Sequence, residues 1–251
     1  MINISLSLSA RDARTDLIEG SRTVVIDVLR ATSVMLTALY NGAAWIRPAG
    51  NIEEAWEIKA QYPYAIMGGE RDAVRIEGFD AGNSPLEYTV EKVHGRGIIL
   101  STTNGTKAIG IAAGASEVIL AAFINLSSIV KYLSFSDQPV HLLCSGTHGD
   151  FSMDDFLCAG GIISGLKKSI LINTDDLGNI AKNFWDTRIG SIAETLDSCK
   201  HVNTLKNNGF TSDLDYCFST DTHPLVAAMA TVADLKTGKK PGFIYPVISA
   251  K

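Results

Sequence analysis

No run of apolar residues in this 251-residue chain reaches the roughly 18 needed to cross a bilayer. Met1 to Arg14 alternates serines with other residues and lacks the continuous apolar core of a secretion signal. Cysteine is scarce: Cys144, Cys158, Cys199 and Cys217 are the only four, and none forms a C-x-x-C pair. Their number excludes a disulfide scaffold, no Cys/His spacing suits zinc, and they read as reduced thiols of a cytoplasmic protein. Basic charge is short too, with 22 Lys+Arg against 27 Asp+Glu for a net −5, which argues against a nucleic-acid-binding face. Also missing are the G-x-G-x-x-G turn of dinucleotide enzymes after the first strand and a P-loop. Internal repeats, low-complexity tracts and linkers are absent. What remains is 46% hydrophobic and 20% charged, enough apolar material for a sizeable core and too little charge for disorder.

The informative pattern is a strand-like run that stops at small or polar residues and leads toward a helical stretch. It occurs at Thr23 to Val28, Tyr64 to Met67, Gly97 to Leu100, Glu117 to Ala122 and Val140 to Cys144. The runs show little polar alternation, as in strands buried on both faces. Short strands alternating with helices indicate an α/β fold, a three-layer α/β/α sandwich around a largely parallel or mixed sheet. A single domain over residues 1–251 is expected. In open α/β sheets ligands bind beyond the carboxyl ends of the strands, so the polar strand ends define the candidate site.

Asp27 ends the first run, and a carboxylate there needs a cation or hydrogen-bond donors. Glu70 follows the second run, and Asp154 and Asp155 follow the fifth. Together, Asp27, Glu70, Asp154 and Asp155 suit a hard ion such as Mg²⁺, although the last two also suit a helix start with Ser152 as cap. Ser101-Thr102-Thr103-Asn104-Gly105-Thr106 places hydroxyls and a glycine at a strand-to-helix turn, where backbone N–H groups cradle anions. Arg30 and Arg71 are guanidinium candidates for phosphate or sulfonate. Asn83 in the GFDAGNSPL loop, Asn125 after the fourth strand, and Ser145, Gly146 and Thr147 after the fifth complete the candidate substrate-binding set. His148 lies in the same last loop. Asp175 to Trp185, Ser191 to Cys199 and the alanine-rich Thr222 to Leu235 read as helices. Asn207-Asn208-Gly209 marks a turn or helix end, and Phe243 to Ile248 an edge strand, because Pro246 disfavours a central one. Asp213, Asp215 and Asp221 receive no role.

Two resemblances follow from these residues. Asp27 at a strand end, with Gly149-Asp150 and Asp154 later, is partly similar to haloacid-dehalogenase-type phosphatases, but Leu29 stands where their second aspartate belongs. The fuller resemblance is carried by VVIDVLRATSVMLTAL (Val24 to Leu39), GGER (Gly68 to Arg71), GFDAGNSPLEY (Gly78 to Tyr88), STTNGT (Ser101 to Thr106), AAFIN (Ala121 to Asn125) and CSGTHGDFSMDDFLCAGG (Cys144 to Gly161). These blocks resemble the 2-phosphosulfolactate phosphatase family, Mg²⁺-dependent phosphatases associated with coenzyme M biosynthesis. The resemblance implies hydrolysis of (2R)-2-phospho-3-sulfolactate to 3-sulfolactate and phosphate. The mechanistic expectation built on these residues gives catalytic roles to Asp27, Arg30 and Asp155, with Mg²⁺ bridging Asp27, Glu70 and Asp155 to a phosphate oxygen, Arg30 and the Ser101 to Thr106 turn binding the other oxygens, and Arg71 reading the sulfonate or carboxylate. The expected partner is a small anionic phosphorylated substrate, with neither nucleic acid nor membrane, and homo-oligomerisation is left open. The alternatives are a phosphatase of another small phosphorylated hydroxy acid and a non-catalytic phospho-ligand-binding protein.

Overall fold

The computed structural model describes residues 1–188 and 190–249. Its strands are β1 (Ile2–Ser7), β2 (Arg22–Ile26), β3 (Trp45–Pro48), β4 (Ile66–Arg71), β5 (Val74–Arg75), β6 (Gly97–Ser101), β7 (Glu117–Ala121), β8 (Val140–Cys144), β9 (Ile172–Thr174), β10 (Leu225–Met229) and β11 (Ile244–Ser249). They form one mixed sheet in the order β5-β4-β6-β3-β11-β10-β7-β2-β8-β1-β9. All five expected strands are present. β2 shows why they lack polar alternation: every residue in it is buried, with Val24 and Ile26 on one face and Val25 on the other. The first face packs against helices Leu126–Ser134, Met153–Ser169 and Asp176–Thr187. The second packs against helices Ala31–Tyr40 and Gly105–Ile111. This is the layered α/β architecture expected, with the sheet mixed.

β4, β6 and β3 run parallel, as do β7, β2, β8, β1 and β9. Between the two blocks lie three antiparallel junctions, through β11 and β10, so the blocks are nominally opposed. Five steps separate β6 from β2. At about 20–25° of twist per step, the opposed directions close to about 55–80°. The carboxyl ends of both blocks can therefore meet, and they do. A Cβ on Gly105, just after β6, would stand 2.7 Å from Asp27 Oδ2, just after β2.

Two expectations are corrected. The segment Thr222 to Leu235 is not a helix: it is β10 followed by a 3-10 turn, Val232–Thr237. Its alanines favour a helix in isolation, but Leu225–Met229 gains pairing to both β7 and β11, and tertiary pairing outweighs propensity. The tail strand is not an edge: β11 lies between β10 and β3. Pro246 is tolerated because the β3 pairing involves Ile244 alone and the β10 register shifts beside Pro246's partner Ala227, leaving that stretch with local edge character.

The meeting of β4 and β6 requires Gly69, whose φ is +148° and whose added Cβ would lie 2.0 Å from the Ser101 carbonyl oxygen. Gly69→Ala is expected to cost about 2–3 kcal/mol, lowering the melting temperature by roughly 5–10 °C. An unchanged thermal unfolding curve would contradict this close approach.

Candidate active site

The site begins where β2 ends. The Asp27 backbone N–H donates to Thr32 Oγ1, and that hydroxyl donates toward the carbonyls of Asp27 and Ala121, so the turn is locked to β7. Asp27 Oδ1 accepts the Ala31 N–H at 2.9 Å, while Oδ2 accepts nothing among the described residues. Burial lifts the Asp27 carboxyl to about 7; the Ala31 N–H and Arg30 oppose the rise, while Asp154 and Glu70 add to it. Arg30, 3% exposed, donates from Nη1 to Asp213 Oδ2 at 2.5 Å and lies 3.9 Å over the Phe210 ring. Ser84 donates to the other Asp213 oxygen. Asp213, which had no assigned role, is thus the counter-ion that orients Arg30.

Asp155, at the first turn of Met153–Ser169, accepts the Val28 N–H on Oδ1 and the Gly146 N–H on Oδ2. Burial, with Asp154 and Asp27 nearby, pushes its carboxyl well above the usual range, and the two N–H groups oppose that rise. Asp154 Oδ1 accepts from Ser152 Oγ at 2.5 Å; its Oδ2 is buried and without a hydrogen-bond partner, 3.9 Å from His201 Nδ1.

Glu70 is fully engaged. Oε1 accepts the Thr103 N–H at 2.8 Å, and Oε2 accepts the Ala73 N–H and the Thr103 hydroxyl. A carboxylate of the protein itself therefore occupies part of the turn expected to hold phosphate. Thr102 and Thr106 bond to each other, closing the strand-to-helix turn. Asn104 reaches outward, and its Oδ1 accepts the His148 N–H at 3.0 Å. That contact joins the STTNGT turn to the loop after β8.

These elements surround a cavity of ≈ 570 Å³, within the size range of small-molecule sites. Of the expected residues, Asp27, Arg30, Glu70, Asn83, Thr102, Thr103, Asn104 and Thr147 line it. Ser101, Gly105, Thr106, Ser145, Gly146, Asp154 and Asp155 form the layer behind. Two expectations fail. Arg71 does not reach the cavity wall: its guanidinium is held by the Ser101 carbonyl and hydroxyl and the Glu70 carbonyl, tying β4 to β6. Asn125 is wholly buried and ties the Ala122 N–H to the carbonyls of Leu120 and Leu225.

One part of the wall is new. Helix Lys200–Asn207 and the residues before it contribute Ser198, Cys199, Lys200, His201 and Thr204, and His201 Nδ1 lies 3.1 Å from Thr147 Oγ1. Spacing alone could not assign these residues. The one signal was the Asn207-Asn208-Gly209 helix end, which the structure places at the close of this helix.

The wall carries Asp27, Glu70, Asp72 and Asp150 against Arg30, Lys200 and His201. Among the described residues no three His, Cys, Asp or Glu side chains gather as a metal-ligand set. The expected quartet divides: Glu70 and Asp155 accept protein donors on both oxygens, while Asp27 Oδ2 and Asp154 Oδ2 accept none among the described residues. Mg²⁺ usually takes one or two carboxylates and fills its shell with water and phosphate oxygens. Asp27 and Asp154 fit that form of site.

The model of the 2-phosphosulpholactate phosphatase family matches residues 8–231. A probable 2-phosphosulfolactate phosphatase of Clostridium perfringens is 43% identical over 220 residues, covering 86% of this chain and 89% of the relative. One of Clostridium novyi is 39% identical over 249 residues, 99% of this chain and 100% of the relative. One of Thermotoga maritima is 41% identical over 212 residues, 84% and 90%.

Removing one partner of a buried ion pair costs about 3–5 kcal/mol. Asp213→Ala, which strands the Arg30 charge, should lower the unfolding free energy on that scale by denaturant titration. Equal stability of variant and parent would refute the pairing. Asp27 adds a pH signature. Its carboxyl sits at about 7 in the fold against about 3.9 unfolded. The folded state holds the extra proton between those values, so this stabilising contribution is complete below about pH 4 and is lost as pH rises through about 7. In metal-free buffer Asp27→Asn should lose less thermal stability than the parent over that window; parallel melting-temperature profiles would exclude it.

Proposed function

The chain belongs to the 2-phosphosulfolactate phosphatase family, and from that premise we propose that it hydrolyses (2R)-2-phospho-3-sulfolactate to 3-sulfolactate and phosphate with Mg²⁺, as a single α/β unit in the cytoplasm. The observation that carries the reading is the pairing of Asp27 and Arg30 on one cavity wall: a carboxylate with an uncommitted oxygen beside a guanidinium fixed by Asp213 and Phe210.

Asp27 and Asp154 would hold the ion. When bound, Mg²⁺ offsets phosphate charge and orients the attacking oxygen. Arg30 presents a planar donor to the phosphoryl group, and its orientation is set before substrate arrives. Thr102, Thr103 and Asn104 shape the adjoining wall, and the Asn104–His148 contact closes the cavity on that side. Asp155 acts from behind, holding the Val28 and Gly146 backbones in place. The reaction forms one P–O bond from water, breaks the bond between phosphorus and the C2 oxygen, and returns a proton to that oxygen. Phosphoryl transfer asks mainly for this positioning and charge balance.

Phosphate release from phosphosulfolactate should require Mg²⁺ and stop on chelation. Asp27→Asn should lower kcat by about 10³-fold or more, the scale of removing a group that acts in the transition state, with the circular dichroism spectrum unchanged. Full activity in the variant, or release unaffected by chelation, rejects this assignment. Calorimetric binding without release would indicate the ligand-binding alternative.

A further inference from the structure

Resting on the phosphatase reading above, one question about substrate choice remains. The substrate carries a carboxylate and a sulfonate besides its phosphate, and Arg71, the expected reader of one of them, is bound to Ser101. The cavity wall offers two permanent cations, Arg30 and Lys200. Arg30 is paired with Asp213. Among the described residues Lys200 Nζ has no carboxylate or hydrogen-bond partner, and it stands on the wall formed by residues 198–205. The Ser198 hydroxyl beside it is likewise uncommitted, whereas the Thr204 hydroxyl is turned to the Lys200 carbonyl.

We propose that Lys200, with Ser198, binds the sulfonate and sets the preference for sulfonated over non-sulfonated phosphate esters. The carboxylate and the phosphate oxygen both attach at C2, and the sulfonate extends one carbon farther. Lys200 lines the same cavity as Asp27 and Arg30, on a helix apart from the strand end that carries them. Its chemistry matches as well. An ammonium is a compact charge with three rotatable donors on a flexible stem, able to meet the three oxygens of a sulfonate. The contact exists in ground state and transition state alike, so it should govern KM rather than kcat.

The test compares 2-phospho-3-sulfolactate with 2-phospholactate, which differs by the missing sulfonate, in wild-type, Lys200→Gln and Lys200→Arg enzymes. Lys200→Gln should raise KM for the sulfonated substrate about ten-fold, leave kcat within about two-fold and leave 2-phospholactate kinetics unchanged. Lys200→Arg should recover most of the loss. Equal effects on both substrates, or none on either, would overturn the proposal. A wild-type enzyme that hydrolyses both equally well would also overturn it while leaving the phosphatase reading standing. A wild-type enzyme that hydrolyses neither removes that reading and the proposal with it.

Discussion

The Asp155 carboxylate binds the Val28 N–H and the Gly146 N–H, each the second residue beyond one of two neighbouring parallel strands. It does so while buried, with Asp154 and Asp27 close by, and burial and both neighbours oppose its charge. Two backbone donors offset part of that cost. The arrangement fixes the chain where β2 turns toward Arg30 and where β8 turns toward Thr147. The negative charge assembled there is also the reason a cation suits the site: a buried cluster of carboxylates is tolerated when paired or bound to metal and is costly otherwise.

The second constraint is the shape of the sheet. Sequence order puts the GGER and STTNGT segments on one parallel block and the Asp27 and Asp155 segments on a block nominally opposed to it. A flat sheet would place their carboxyl ends at opposite rims. Accumulated twist through the sparsely paired β11 and β10 brings them together, so the C-terminal hairpin is part of how the site is made. Helix Lys200–Asn207 adds lining to the cavity, and the Phe210–Asp213 turn packs on Arg30. A site that looks local in sequence is assembled from the whole chain.

That explains what sequence could and could not convey. Strands buried on both faces leave an unbroken apolar run, so β2, β6, β7 and β8 were legible along with the polar residues that end them. Asp27, Arg30, Glu70 and the Thr102–Asn104 turn were legible for the same reason. Short strands such as β3 and β9 carry too few residues to show a period. β10 differs from its helical expectation because alanine's helix preference is local while the strand is held by pairing beyond that range, to β11 after a loop and to β7 about a hundred residues earlier. Arg71 and Asn125 have the right chemistry at strand ends, but spacing does not say which way a side chain points. Asp213 and Lys200 were out of reach because nothing local distinguishes a surface charge from one that meets a cavity.

The charge on the cavity can now be divided by what each group is free to do. Glu70, with both oxygens accepting from the Thr103 and Ala73 turns, already meets the donors of the strand-to-helix turn, so that turn is organised before any ligand enters. Asp155 is likewise spent on backbone. Of the four carboxylates first expected to hold a metal, Asp27 and Asp154 each keep one oxygen that accepts nothing among the described residues, and Asp72 and Asp150 stand on the same wall, against few cations, of which Arg30 is paired with Asp213. The wall carries four carboxylates against two permanent cations, so the acidic excess of the chain, −5 overall, extends into the cavity, and a cation there would lower the mutual repulsion of these groups.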